Sequence, residues 1–394
     1  MKNIYFNAFV FILLWSSCNL KDNNNDTLKN AIELDPTIGE NVKMSEFFED
    51  FDIVHPSEDE LIGFVSDVLI YRDKIVITDR QILKNIQVFD KLGQHLFTIN
   101  SKGAGPGEFK SPSIVRVSSS GNELLVYAGI TKKFMKFDWN GNFISEISFN
   151  DIGLVGDFIE KNGEVVFLNV MTGNPSERVG KFNFNTVGKY KEITFFEDYP
   201  DEFVKIKARK SGYFFDTVEH DFFFFIDQLS GKLVSMDWNG FKDVHKFNLT
   251  INPLIMDSSK VLEPLEIKEQ LIQNEYFRIG ESVSSGRNYA LLPIYKGVSD
   301  FSSLYFNLTN GRKKVISRFE NDMDKLFPLV TFPSVAGSDP RKGILYIDPG
   351  IIYSRLSEID LTDNPLKNKL RRLQTPENEN PVLLIYTLKD SIDF

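Results

Sequence analysis

The sequence predicts an all-β chain, a six-bladed β-propeller of four-stranded antiparallel blades, and three observations carry that expectation. One turn pattern recurs, six short apolar blocks lack the alternation of a half-exposed strand, and the C-terminus stops one strand short of a full blade. The turns are Phe89-Asp90-Lys91-Leu92-Gly93, Phe137-Asp138-Trp139-Asn140-Gly141, Phe184-Asn185-Thr186-Val187-Gly188 and Met236-Asp237-Trp238-Asn239-Gly240, with Phe306-Asn307-Leu308-Thr309-Asn310-Gly311 one residue longer. Asp or Asn accepts hydrogen bonds from the backbone two residues on, and Gly takes the positive φ that closes a short hairpin. The first residues of these turns lie 48, 47, 52 and 70 apart, and the shorter spacings suit one blade each.

Upstream of each turn sits an apolar block entered through a polar corner: Ile75 to Ile77, Leu124 to Tyr127, Val165 to Leu168, Phe222 to Ile226, Tyr289 to Leu292 and Ile344 to Ile347. Continuous apolarity means burial on both faces, as for a strand sandwiched between neighbouring blades. The 36 phenylalanines fit the same place, as flat rings fill the wedge between twisted sheets. After Pro381 to Leu388 only six residues remain, too few for a turn and a further strand, so Phe47 to Val54 is expected to complete the last blade and close the ring. Short helices are expected in the later blades, at Leu262 to Phe277, where Ile267, Leu271 and Ile272 fall near helical spacing, and at Leu356 to Arg372.

Composition removes several function classes. There are 394 residues and one cysteine, so neither a disulfide framework nor a cysteine-ligated metal site is available. Lys+Arg 45 against Asp+Glu 55 leaves a net charge of -10, the wrong sign for a nucleic-acid binder. Lys2, the apolar run Ala8 to Trp15 and Ser16-Ser17-Cys18 have the charged start, short apolar middle and small-residue exit of a secretory signal over residues 1–17. Residues 18–44 are expected to be a lipidated N-terminus and flexible tether, asparagine-rich between Asn19 and Asn30, and residues 45–394 the propeller. Loss of residues 1–17 removes only Lys2 among charged residues, leaving 44 basic against 55 acidic, or -11.

Two stretches carry a family resemblance. Lys74-Ile75-Val76-Ile77-Thr78-Asp79 with Asn85-Ile86-Gln87-Val88-Phe89-Asp90-Lys91-Leu92-Gly93 resembles an NHL-type propeller repeat, and Gly103-Ala104-Gly105-Pro106-Gly107-Glu108-Phe109 resembles the glycine-proline motif of the six-bladed β-propeller lipoproteins common in Bacteroidetes. Ser16-Ser17-Cys18 resembles a lipobox, with Trp15 where that pattern prefers Leu. The resemblance implies Cys18 as the lipidated residue, a cell-envelope location on the outer membrane with its periplasmic and surface faces as open alternatives, and no settled activity. Gly103, Gly105, Pro106 and Gly107 read as a structural crossing between blades, because no Lys-Ser/Thr follows that would make a phosphate loop.

In such a propeller the loops joining second to third strands, and outer strands to the next inner strands, gather on one face. Arg80, Lys84, Glu108, Lys132, Arg178, Arg209 and Lys210 fall in them and are the candidate ligand-facing residues. Most are basic, which suits a cationic mouth for an anionic sugar, peptide carboxylate or phosphate, or else solvated charges paired with Glu177, Asp201 or Glu202. His55, His95, His220 and His245 are scattered, and no HExxH, EF-hand loop or nucleophile elbow appears, so no catalytic residue is assigned. The expected function is a non-catalytic binding module, monomeric and cofactor-free, for a glycan, peptide or protein partner. The alternative is a metal-assisted hydrolase or lyase holding a cation such as Ca²⁺ at the axis on Asp67, Asp157, Asp216 and Glu281 of the inner strands.

Overall fold

The computed structural model describes residues 31–100, 102–149, 152–169, 177, 179–184, 193–196, 214–216, 222–227, 231–253, 264–280, 284–324, 326–327, 329–330, 334–335, 341–358 and 379–392. The chain enters through β1 (Ile32–Leu34), β2 (Glu40–Lys43), the single helical turn α1 (Met44–Phe47) and β3 (Phe48–Val54). Blade one is β4 (Asp67–Tyr71), β5 (Lys74–Thr78), β6 (Ile86–Asp90) and β7 (His95–Ile99). Blade two is β8 (Ile114–Val117), β9 (Glu123–Ala128), β10 (Lys133–Asp138) and β11 (Phe143–Ser148), and blade three is β12 (Val155–Lys161), β13 (Glu164–Asn169), β14 (Val179–Asn183) and β15 (Thr194–Phe195). Blade four is β16 (Phe214–Asp216), β17 (Phe222–Asp227), β18 (Lys232–Asp237) and β19 (Gly240–Leu249).

The helix α2 (Pro264–Asn274) precedes blade five, whose inner strand is split into β20 (Phe277–Ile279) and β21 (Ser284–Ser285). Both pair with β22 (Tyr289–Lys296), which is followed by β23 (Ser299–Asn307) and β24 (Lys313–Glu320), while β25 (Leu329–Val330) folds back on the end of β24. Blade six holds β26 (Ser334–Val335), β27 (Lys342–Ile347), then α3 (Pro349–Glu358), and β28 (Val382–Leu388), and its fourth strand is β3, antiparallel to β28 with Leu383 opposite Val54. The expected closure of the ring by the N-terminal strand is therefore present.

The six apolar cores lie between neighbouring blades, which explains the continuous apolar blocks. In β9, Leu124 and Val126 pack toward blade one while Leu125 and Tyr127 pack toward blade three. Alternation survives in direction, but both faces are dry. The recurring turn has a matching role. Asp90 Oδ1 accepts from the N–H groups of Leu92 and Gln94, and Asp138 Oδ1 from those of Asn140 and Asn142. Asp237 Oδ1 accepts from Asn239 and Gly240 N–H. Gly93 and Gly141 have φ of 87° and 81°. A Cβ on Gly93 would lie 2.5 Å from the His55 carbonyl oxygen, and one on Gly141 would lie 2.8 Å from the Phe97 ring. These two tips thus tuck against the preceding blade, Gly93 just past the end of β3 and Gly141 against β7.

Two expectations need correction. Residues 32–43, assigned to the tether, are docked instead: β1 adds in parallel to β19, and β2 in parallel to β24, so blades four and five each gain a fifth, outermost strand. Leu34 and Val42 are buried in the cores beneath. The second helix begins at Pro349 rather than Leu356, because Asp348 caps it, its Oδ1 accepting from Gly350 N–H at 2.8 Å, and Pro349 occupies the first helical position. Residues 359–372 of that expected helix lie outside the described residues.

Candidate functional site

Antiparallel order puts the loops between second and third strands, and those from one blade to the next, on one face, and the N-terminal ends of the inner strands open onto it. Three adjacent inner strands bring charge to the axis there. Asp157 on β12 is fully buried, and the Arg116 guanidinium of β8 donates to its Oδ1 at 2.6 Å. Arg116 Nε also reaches the Phe158 carbonyl at 3.4 Å, tying blade two to blade three. On blade one, Arg80 Nη2 donates to Asp67 Oδ2 at 3.3 Å, and Asp67 opens β4.

These groups act on one another's ionisation. Burial pushes the Asp67 carboxyl above the usual carboxylate range, against the lowering charges of Arg80 and Arg116, with Asp157 adding repulsion. Burial opposes the charge on Arg116, yet the carboxylates of Asp157 and Asp67 outweigh it and raise its pKa. The Arg116–Asp157 pair is a short charge-assisted bond, whereas Arg80 is less committed. Its Nε is buried and has no acceptor among the described residues.

The loop carrying Arg80 is held rigidly by Asp79, which is 1% exposed. Asp79 Oδ1 accepts from Gln81 and Ile82 N–H, both at 2.8 Å, and Oδ2 from Leu83 N–H at 3.0 Å and Phe64 N–H at 2.9 Å. Burial alone would raise this carboxyl; the four donors from Leu83, Ile82, Gln81 and Phe64 prevail and hold it below the ordinary value. The backbone of Arg80 is clamped on both sides, its N–H donating to Ser66 Oγ and its carbonyl accepting from Ser111 Oγ, both at 3.0 Å.

The sequence matches the family described as a domain of unknown function, DUF4934, over residues 29–387. The chain belongs to that family. Among curated proteins none matches. Among solved structures, a protein described as exported, from Bacteroides fragilis, is 14% identical, covers 92% of this chain and 100% of its own, and superposes with a TM-score of 0.64. A member of the DUF4221 family from Bacteroides vulgatus is 13% identical, covers 87% of this chain and 97% of its own, with a TM-score of 0.51. At these identities the likeness establishes the shared fold alone.

Within this DUF4934 chain the sequence-predicted residues separate. Arg80 joins the axial cluster, and Lys84 is exposed in the same loop with a φ of 57°. Lys132 holds the equivalent place in blade two, with a φ of 51°, and its Nζ donates to the Ile152 carbonyl at 3.1 Å. Glu108, expected to face ligand, instead closes the glycine-proline loop, its Oε2 accepting from Gly105 N–H at 2.8 Å. A Cβ on Gly103 would lie 2.1 Å from that oxygen, and Gly107, with a φ of 72°, donates its N–H to Glu146. Lys133 completes the knot by donating to the carbonyls of Ala104 and Gly105 and pairing with Glu146. Cys18, Arg178, Arg209, Lys210 and Glu281 lie outside the described residues, and Asp216 is placed on β16 by its backbone only.

Of the four expected axial carboxylates, the two whose side chains are described, Asp67 and Asp157, do not offer an open cation site. Asp67 and Asp157 each face an arginine, and among the described residues no group of three His, Cys, Asp or Glu is placed to hold an ion. A cation seated between two guanidinium groups would be repelled by both. Arg116 and Asp79 were absent from the sequence-predicted set: the first is recognisable only from the neighbouring blade, the second only from the loop it caps.

Proposed function

We propose that this member of the DUF4934 family is an exported, lipid-anchored binding module, non-catalytic, that presents its axial mouth to a glycan, peptide or protein partner. The carrying observation is the incompletely paired Arg80, rigidly mounted beside Asp67 where three blades converge. A guanidinium held by one ion pair at 3.3 Å, with its Nε left without an acceptor among the described residues and its side chain 25% exposed, keeps donors open to a ligand oxygen. The Ser16-Ser17-Cys18 exit and the described export of the Bacteroides fragilis protein support the location at the cell envelope.

Affinity capture from detergent-solubilised envelope tests the reading, with the mature protein run beside a variant carrying Arg80→Ala and Lys84→Ala. The expected result is a component retained by the parent and depleted about tenfold or more by the variant, as loss of charge-assisted bonds predicts. Equal retention by both proteins would place binding elsewhere and contradict the mouth as the site.

A further inference from the structure

Beside Arg80 lies a platform that the charge cluster leaves unexplained. Leu61, Phe64 and Ile82 are 59%, 38% and 63% exposed, yet the backbone that carries them is unusually well fixed. Gln87 Nε2 donates to the Leu61 carbonyl at 2.7 Å, Asn380 Oδ1 accepts from Ile62 N–H at 2.8 Å, and Asp79 takes the N–H groups of both Phe64 and Ile82. The two loops touch at Gly63, where a Cβ would stand 3.0 Å from Ile82 Cβ and 2.7 Å from Asp79 Oδ2. Apolar side chains on a mobile loop are ordinary, but three on a loop pair held by three side chains through four hydrogen bonds form a preorganised surface. Two cations, Arg80 and Lys84, flank Ile82 in the same loop.

We infer that this corner of the mouth binds the C-terminus of a peptide or protein, with the terminal carboxylate on Arg80, assisted by Lys84, and an apolar last side chain on Leu61, Phe64 and Ile82. The inference rests on the binding-module reading and narrows its ligand class. Charge complementarity selects the carboxylate, since the Arg80 side chain is 25% exposed and a guanidinium with Nη donors open to solvent binds a planar anion. The aliphatic and aromatic platform then selects a peptide over an acidic sugar, whose hydroxyls would find few partners there. Asp79 acts as a positioning residue, because it sets both loops without reaching the ligand.

Titration calorimetry on the intact mature protein tests this with four probes: acetyl-Ala-Ala-Leu as free acid, the same peptide as C-terminal amide, acetyl-Ala-Ala-Ser as free acid, and methyl glucuronoside. The leucine acid is expected to bind, with the amide weaker by about tenfold or more and the serine acid by about fivefold or more. Arg80→Gln should abolish the acid-over-amide preference, and Ile82→Ser, at an exposed position, should abolish the leucine-over-serine preference while leaving the circular dichroism unchanged. Equal binding of acid and amide, no binding of the leucine acid, or glucuronoside binding as tight as the peptide would each overturn the inference. A neutral glycan captured in an Arg80-dependent way would sink this inference while leaving the wider binding-module reading standing.

Discussion

Asp79 shows how much one side chain can organise. Its carboxylate collects four backbone N–H groups from two loops, more than an amide oxygen in the same place could serve. Asp79→Asn would turn an NH₂ toward donors that now meet an oxygen, so chemical denaturation at neutral pH is expected to show a loss of about 2 to 4 kcal/mol. The pH dependence follows from the direction of the shift. Because the folded carboxyl titrates below its unfolded value of about 4, its contribution is full above that pH and fades as pH falls through the lower folded value. Parent and variant should therefore converge in acid, and a constant gap across that range would assign the effect to packing. At this scale the sequence was partly legible. Asp67 and Asp157 were recognisable as inner-strand carboxylates, and the Asp67 partner Arg80 was among the loop residues singled out, but the Asp157 pair depends on Arg116 reaching across a blade boundary, which no local pattern encodes.

Elements differ in the same way. The second strands were readable because both faces are buried, and the third-to-fourth turns because Asp and Gly solve a local problem of hydrogen bonding and φ. The belt was not. β1 and β2 are three and four residues long and pair with strands more than 200 residues away, so neither periodicity nor spacing marks them. The start of α3 was available in Asp348-Pro349, a capping residue followed by a first-turn proline, a local signal that the expectation of a helix from Leu356 did not use. The belt yields its own prediction. Deleting residues 31–43 from the mature chain should leave six blades but expose β19 and β24, so hydrogen exchange is expected to quicken in those two strands and not in β7 or β11. Uniform quickening would mean the belt supports the whole ring. Further along the same segment, Phe47 is fully buried with its ring 5.3 Å from Phe319 and 6.2 Å from Tyr305, so Phe47→Ala should cost about 3 to 5 kcal/mol in urea unfolding.

The whole molecule is one ring whose first-made segment binds its last-made blades. The belt and β3 run across blades four, five and six in order, and the C-terminus is caught in turn, with Tyr289 and Tyr305 donating their hydroxyls to the carbonyls of Lys389 and Ile392. Beyond β3, the loop to blade one is latched by Asn380, whose Nδ2 donates to the Ser57 and Glu60 carbonyls, and by His55, whose Nε2 lies 2.9 Å from the Asn380 carbonyl. Burial lowers the His55 pKa, and its Nδ1 has no partner among the described residues, in keeping with a neutral ring at the seam. At the same scale, Cys18→Ser is expected to move the protein from the membrane to the soluble fraction of a cell lysate; retention in the membrane would contradict the lipid anchor. The mouth can be preorganised only if the ring is shut, and so closure is the claim on which the rest depends. Its most direct measurement is thermal unfolding, followed by circular dichroism, of the mature chain and of a version lacking residues 45–56, each with and without a synthetic 45–56 peptide. The expected result is loss of the cooperative transition on deletion and its return when the peptide is added, whereas a deleted chain that melts like the parent would contradict the closed ring.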